Sequence, residues 1–209
     1  MHLPEDVADE APPIWPAFGD LMACLFGLFV LFFVWTVAIE TSLAADLKTE
    51  RATRAAESAR LAALESALAG PLASGRITLV DGRIGIRGSV LFDLTSAELR
   101  DEGRAVLHDI AAPLRTYLAE RGELLMVSGF TDDRPIRGPS VFKDNWELSV
   151  QRALTVTRAL EANGMPHDWL FAAGFGDSHP ISSNTTADDR AQNRRVEIAP
   201  VPRLRGGRP

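Results

Sequence analysis

WPAFGDLMACLFGLFVLFFVWTVAIE, residues 15–40, separates what this chain does before a hydrophobic stretch from what it does after it. The nineteen residues from Leu21 to Ile39 carry no charge, and at about 1.5 Å of rise each they nearly match a hydrocarbon core of roughly 30 Å. The pattern predicts one membrane-spanning helix over 16–40. Pro16 suits its first position, because proline lacks only an N–H that would be orphaned there anyway. A helix opened at Pro16 puts Asp20 about one turn into the span, where a carboxylate is costly and usually has a function. A carboxylate at headgroup level beside a helix N-terminus is the other reading, and position alone leaves both open. Ser42-Leu43-Ala44 loosely fits a leader cleavage site. No basic segment precedes the run, however, and the run exceeds the usual leader core of about 7–15 residues, so a retained anchor is expected.

Outside the span, 209 residues leave room for a connector and one domain of ordinary size. The net charge of -6 is concentrated at one end: residues 1–15 hold Glu5, Asp6, Asp9 and Glu10, Asp20 follows, and the first twenty residues contain no Lys or Arg. The remainder is close to neutral, which gives no electrostatic footprint for nucleic acid. Arg203, Arg205 and Arg208 make a small basic tail over 201–209, read as a solvated end. The only cysteine, Cys24, excludes an intrachain disulfide and a thiolate metal site, and reads as a small packing residue on the helix face of Asp20. Lys48, Arg51, Arg54 and Arg60 follow the span while no basic residue precedes it, so charge bias alone would place the downstream side in the cytoplasm.

Residues 41–75 read as a helical connector ending in a linker at Gly70–Gly75, since strong helix formers run without Gly or Pro up to Gly70-Pro71. Leu61, Leu64 and Leu68 keep a three-four spacing that would suit a short parallel dimer contact or a helix lying on a surface. A compact domain is expected over 76–200. Asp81-Gly82 between ITLV and RIGIRG signals a hairpin. Thr95 with Glu98 reads as a capping box opening a helix that stops before Gly122. LLMVSGF (124–130), LFAAGF (170–175) and RVEIA (195–199) read as strands, Trp146–Ala162 as a helix and 131–144 as a loop. Strands alternating with helices predict an α/β sandwich, so the fold class is α/β behind a single spanning helix.

GFTD (129–132), NWELSVQRA (145–153), GFGDSHPISSN (174–184) and RAQNRRVEI (190–198), with VLFDLTSAELRDEG (90–103) before them, resemble the OmpA-like peptidoglycan-binding domain. The resemblance implies that Asp132, of the TD motif, and Arg152, of the LSxxRA motif, hold the diaminopimelate moiety of the wall peptide. A zwitterionic centre needs a carboxylate for its ammonium and a guanidinium fork for its carboxylate. Asn145 and Leu148 match the same helix motif and Arg194 the NRR motif, which adds them to the expected peptidoglycan-binding set. Without the resemblance, Asp132 would read as a turn former, Arg152 as a surface helix residue and Asn145 as a helix cap. Asp133 with His167 or His179 lacks the spacing of a hydrolase or a metal site, so no enzyme activity and no bound cofactor are expected.

FGDLMACLFGLFVLFF is similar to the transmembrane helix of MotB-like stator subunits, with Gly19 where alanine is usual and Ala23 where threonine is common. Span, connector and OmpA-like domain in that order is that family's architecture. The resemblance implies a homodimer threading a ring of MotA/ZorA-like multi-span membrane subunits. Asp20 would then bind and release a translocated ion, because an acid can change its charge state within reach of water; a proton is expected before sodium, the choice being left open because the partner subunits supply much of the coordination. It also implies a single-pass protein of the bacterial inner membrane, with the amino terminus (1–15) in the cytoplasm and the domain in the periplasm. Peptidoglycan lies only on that side, and on that ground the resemblance prevails over the charge bias. The process driven is open between antiphage defence, as in Zorya systems, and a flagellar stator; a passive tether to peptidoglycan is the reading in which Asp20 does nothing.

Overall fold

The computed structural model describes residues 14–137 and 141–203, so the expected acidic amino terminus and most of the basic tail lie outside the described residues. The chain divides into two units, Met1–Glu57 and Ser58–Pro209. In the first, helix α1 (Ile14–Ala67) begins two residues before Pro16 and runs unbroken through the uncharged stretch. It is long and apolar enough to cross a membrane. Along the uncharged stretch its large apolar side chains, Phe26, Phe29, Leu31 and Trp35 among them, are exposed. The Thr36 hydroxyl donates to the Phe32 carbonyl at 2.8 Å, which satisfies that polar group within the apolar stretch.

The second unit is a two-layer α/β domain. After α2 (Ala69–Ala73), β1 (Thr78–Val80) and β2 (Arg83–Arg87) form the expected hairpin, with both Asp81 (φ 50°) and Gly82 (φ 74°) left-handed, as a two-residue turn of this hand demands. Then come α3 (Gly88–Leu91), α4 (Asp101–Arg121), β3 (Glu123–Phe130), α5 (Asn145–Ala162), β4 (Leu170–Gly174), α6 (Ala187–Asn193) and β5 (Arg195–Pro202). The sheet order is β1-β2-β5-β3-β4, antiparallel except for the β3–β4 pair, whose crossover is α5. Alternate residues of the strands, Ile84, Ile86, Leu125, Val127, Val196 and Ile198, meet Val106, Leu107, Ile110 and Leu114 of α4 and Val156 and Leu160 of α5 in one core.

Three local expectations are corrected. Thr95 and Glu98 form no capping box: Thr95 is left-handed (φ 57°), the Glu98 amide donates to Ser96 Oγ at 3.0 Å, and α4 starts at Asp101. A bridge between Phe92 and Leu99 closes this loop and buries both side chains, which outweighs helix propensity there. A true capping box sits instead at Thr186 and Asp189 and opens the seven-residue α6. Leu64 and Leu68 do not form a seam toward a second chain. They are 2% and 0% exposed in the core of their own domain, and Arg60 on the same helix pairs with Glu123 at 3.0 Å and donates to the Pro200 carbonyl at 3.0 Å. The compact domain thus includes the end of α1, ahead of the expected start at residue 76.

Candidate functional site

The end of β3 and the middle of α5 approach unusually closely because Gly129 has no side chain. A Cβ there would stand 2.1 Å from the Ser149 carbonyl oxygen. Just beyond β3, the Thr131 amide donates to Gly176 O at 2.8 Å, and this fixes the direction in which Asp132 leaves the sheet. Asn145 is not the cap of α5. Asp144 is, accepting from the Glu147 amide at 2.8 Å, while Asn145 Nδ2 donates to the carbonyls of Asp132 (3.2 Å) and Arg134 (3.1 Å). Asn145 therefore holds the loop that carries Asp132. Leu148, one turn into α5, is buried and does not line the cavity described below.

Asp132 is 8% exposed, and both of its oxygens are engaged. Oδ2 accepts from Arg194 Nη1 at 2.5 Å, and Oδ1 accepts from the Arg134 amide at 3.2 Å. Arg194 follows α6 and precedes β5, and its carbonyl accepts from the Gly88 amide at 2.7 Å, tying the start of α3 to the same place. Arg152 on α5 is 4% exposed. Its Nε donates to Ser96 O at 2.8 Å, its Nη2 reaches Asp93 O at 3.4 Å, and its guanidinium carbon lies 5.1 Å from the centre of the Phe92 ring. Among the described residues no carboxylate lies within ion-pairing distance of it. Burial, reinforced by the Arg194 charge and opposed by Asp132, lowers its pKa to about 10. It remains a cation at neutral pH, held where an anion would be welcome.

Arg152 and Arg194 open onto a cavity of about 160 Å³, walled also by Ser89, Phe92, Asp93 and Arg100. Such a space admits one carboxylate-bearing head group rather than a whole peptide. The structure thus brings Asp132, Arg152 and Arg194 together, places Asn145 behind them as a support and leaves Leu148 in the packing. The wall formed by Asp93 and Arg100 was missed, although both lie in VLFDLTSAELRDEG; the motif identified the domain, and only the fold shows that its loop faces α5. Asp20 lies far from this chemistry in sequence, exposed in the second turn of α1. Among the described residues no cluster of His, Cys, Asp and Glu could hold a metal ion.

The OmpA family profile matches residues 91–194. Motility protein B of Bacillus subtilis is 36% identical over 121 residues, covering 57% of this chain and 45% of that protein. The chain spans about half the length of the first curated relatives it matches. Among solved structures, a putative MotB-like protein from Desulfovibrio vulgaris superposes with a TM-score of 0.62 at 29% identity, over 74% of this chain and 99% of that one. The cell wall anchor of the T6SS from Pseudomonas aeruginosa superposes with a TM-score of 0.56 at 33% identity, over 65% of this chain and 94% of that one.

Proposed function

The chain is a MotB-like protein with a carboxy-terminal OmpA-like domain, and from that premise we propose that it is the wall-gripping B-subunit of an ion-driven motor in the bacterial inner membrane. The observation that carries the wall-binding half is Arg152: a guanidinium buried without a facing carboxylate, opening onto a cavity sized for one amino-acid head group. A ligand carboxylate, such as that of diaminopimelate in peptidoglycan, supplies the missing charge as a planar two-point partner. Arg194 continues the polar wall, and Asp132 holds it there. The cell wall anchor among the similar structures supports this reading.

The motor half rests on α1. An apolar helix of spanning length with exposed side chains needs lipid or partner helices around it, and Asp20 near its start is the acid that would take up and release a proton as multi-span A-type subunits move past. The amino terminus then lies in the cytoplasm and the domain in the periplasm, and two copies pair within one ring. Antiphage defence is the process we favour, because Gly19 and Ala23 depart from the flagellar pattern.

Two measurements test the two halves separately. Purified peptidoglycan should pull down the wild type and neither Asp132→Ala nor Arg152→Ala; retention of both variants would remove the site. Co-expressed with its A-type partner, the wild type should conduct protons and Asp20→Asn should not. Equal flux in both, or none in either, leaves a passive tether.

A further inference from the structure

Helices α4 and α5 pack on one face of the sheet, and strand alternation sends every second residue to the other. On that second face the register lays one row of side chains across all five strands. Val80 of β1 pairs with Arg83 of β2; continuing the Ile84–Ile198 pair by one residue sets Arg83 beside Ala199 of β5, which pairs with Met126 of β3, which pairs with Phe171 of β4. The two ends of this row, Val80 and Phe171, are 63% and 41% exposed at opposite edges of the sheet. Between them lies a groove of about 690 Å³, lined in part by Val80, Arg83, Met126 and Glu197. Its acid is matched within the chain: Glu197 accepts from Arg195 Nε at 2.6 Å and from Arg83 Nη1 at 3.3 Å. Ala199, on the middle strand, raises no bulk against an approaching surface.

Such a face is complementary to itself. A two-fold axis running along β5 sets β1 of one copy over β4 of the other and β2 over β3, so each exposed Val80 meets the Phe171 of the second copy across the spacing of about 10 Å usual for packed sheets. The same axis preserves the polarity of the domain. Asp132 and Arg194 lie at the end of the sheet where β3 finishes and β5 begins, while Arg60, where α1 joins the domain, lies at the other end against Glu123 and the Pro200 carbonyl. Both cavities then face one way and both junctions with α1 the other, as two copies anchored in one membrane and gripping one wall require. On the reading that two copies pair in one ring, we infer that this sheet face is the contact between their wall-binding domains.

The test places cysteines in the full chain, in membranes, with Cys24→Ser to remove the native thiol. A short bismaleimide cannot span the roughly 19 Å between β1 and β4 of one sheet, so a bridge between positions 80 and 171 joins two chains. The variant carrying both Val80→Cys and Phe171→Cys should shift to twice its mass on a denaturing gel. Each single variant should stay at the mass of one chain, because like positions lie at opposite edges of the pair, and co-expressing the two single variants should restore the shift. Both positions are exposed, so the thiols are reachable and the variants are expected to fold, which a thermal melt checks. If the single variants bridge as readily as the double one, or the double variant stays at one chain while native mass measurement of the wild type finds two, the contact lies elsewhere and the pairing stands. A bridge to a chain of another mass gives this face to a different protein. A wild type found as one chain removes the pairing and this contact with it.

Discussion

Arg152 is a buried charge that no carboxylate faces at ion-pairing distance among the described residues. The depression of its pKa to about 10 from 12.5 corresponds to a net cost on the order of 3 kcal/mol for keeping the charge, from burial and the Arg194 charge less the attraction of Asp132, at about 1.4 kcal/mol per unit. Two carbonyls and one ring face, each worth about 1 kcal/mol, are its direct partners in the free domain. If that expense serves binding, as proposed, the charge should be dispensable to the fold. Arg152→Met, similar in length and uncharged, should therefore lose peptidoglycan pull-down while its Tm stays level or rises by up to about 4 °C, since 1 kcal/mol shifts a domain of this size by roughly 2–4 °C. A fall of more than about 5 °C would show that the guanidinium is structural. Asp189 is the opposite case. The Ser182 hydroxyl first, then Thr186 through its amide and hydroxyl and Ser183, hold its carboxyl far below the usual range. A depressed acid stabilises the fold fully above its unfolded pKa of about 4 and loses that contribution as the pH falls toward the folded value. Asp189→Asn should lower Tm by a few degrees at pH 7 and flatten the Tm decline below about pH 4, read by scanning calorimetry across pH.

At the scale of elements, the site depends on how closely β3 can lie against α5. An alanine at Gly129 would drive its Cβ into the Ser149 carbonyl, a backbone atom that no rotamer can move aside. Gly129→Ala should cost about 3 kcal/mol, the upper end of overpacking, and also weaken wall binding, because it separates the strand that aims Asp132 from the helix that carries Arg152. A denaturant midpoint unchanged from wild type would show that the two elements slide apart freely. The strand that this glycine closes was legible in the sequence, LLMVSGF reading as a buried strand, and the Asp81-Gly82 hairpin and α5 were equally plain, because hydrophobic period and turn chemistry are local signals; the close approach that needs the glycine is tertiary and was not. The loop from Asp93 to Arg100 was not. Its Thr95–Glu98 spacing imitates a cap, and what overrules it, the burial of Phe92 and Leu99 across a bridge, is a tertiary effect. The α6 capping box was hidden for a related reason: Ser, Thr, Asn and Asp favour turns and caps alike, and only the reciprocal bonds of Thr186 and Asp189 distinguish the two. The missed wall of the site follows directly, since Asp93 and Arg100 belong to the misread loop.

At the scale of the whole molecule, the boundary between apolar helix and domain decides which residues the fold needs, and composition puts that boundary in the wrong place. Gly70-Pro71 looks like a linker, yet the core closes over Leu64 and Leu68, and Arg60 reaches Glu123 and the Pro200 carbonyl on the far side of the linker. Burying each leucine contributes about 1.5–3 kcal/mol, so the two together supply roughly 3–6 kcal/mol of a total that for most domains is about 5–15. A fragment beginning at Arg76 would lose both leucines, expose the core beneath them and leave Glu123, nearly buried, without the guanidinium at 3.0 Å. A fragment beginning at Ser58 keeps all three contacts. The fragment from Ser58 should therefore melt cooperatively and bind peptidoglycan, while the one from Arg76 should melt at least 10 °C lower or not fold. If the two melt together, the helix end is a passenger on the domain, and a pull on α1 would not be transmitted directly into the core that supports Arg152.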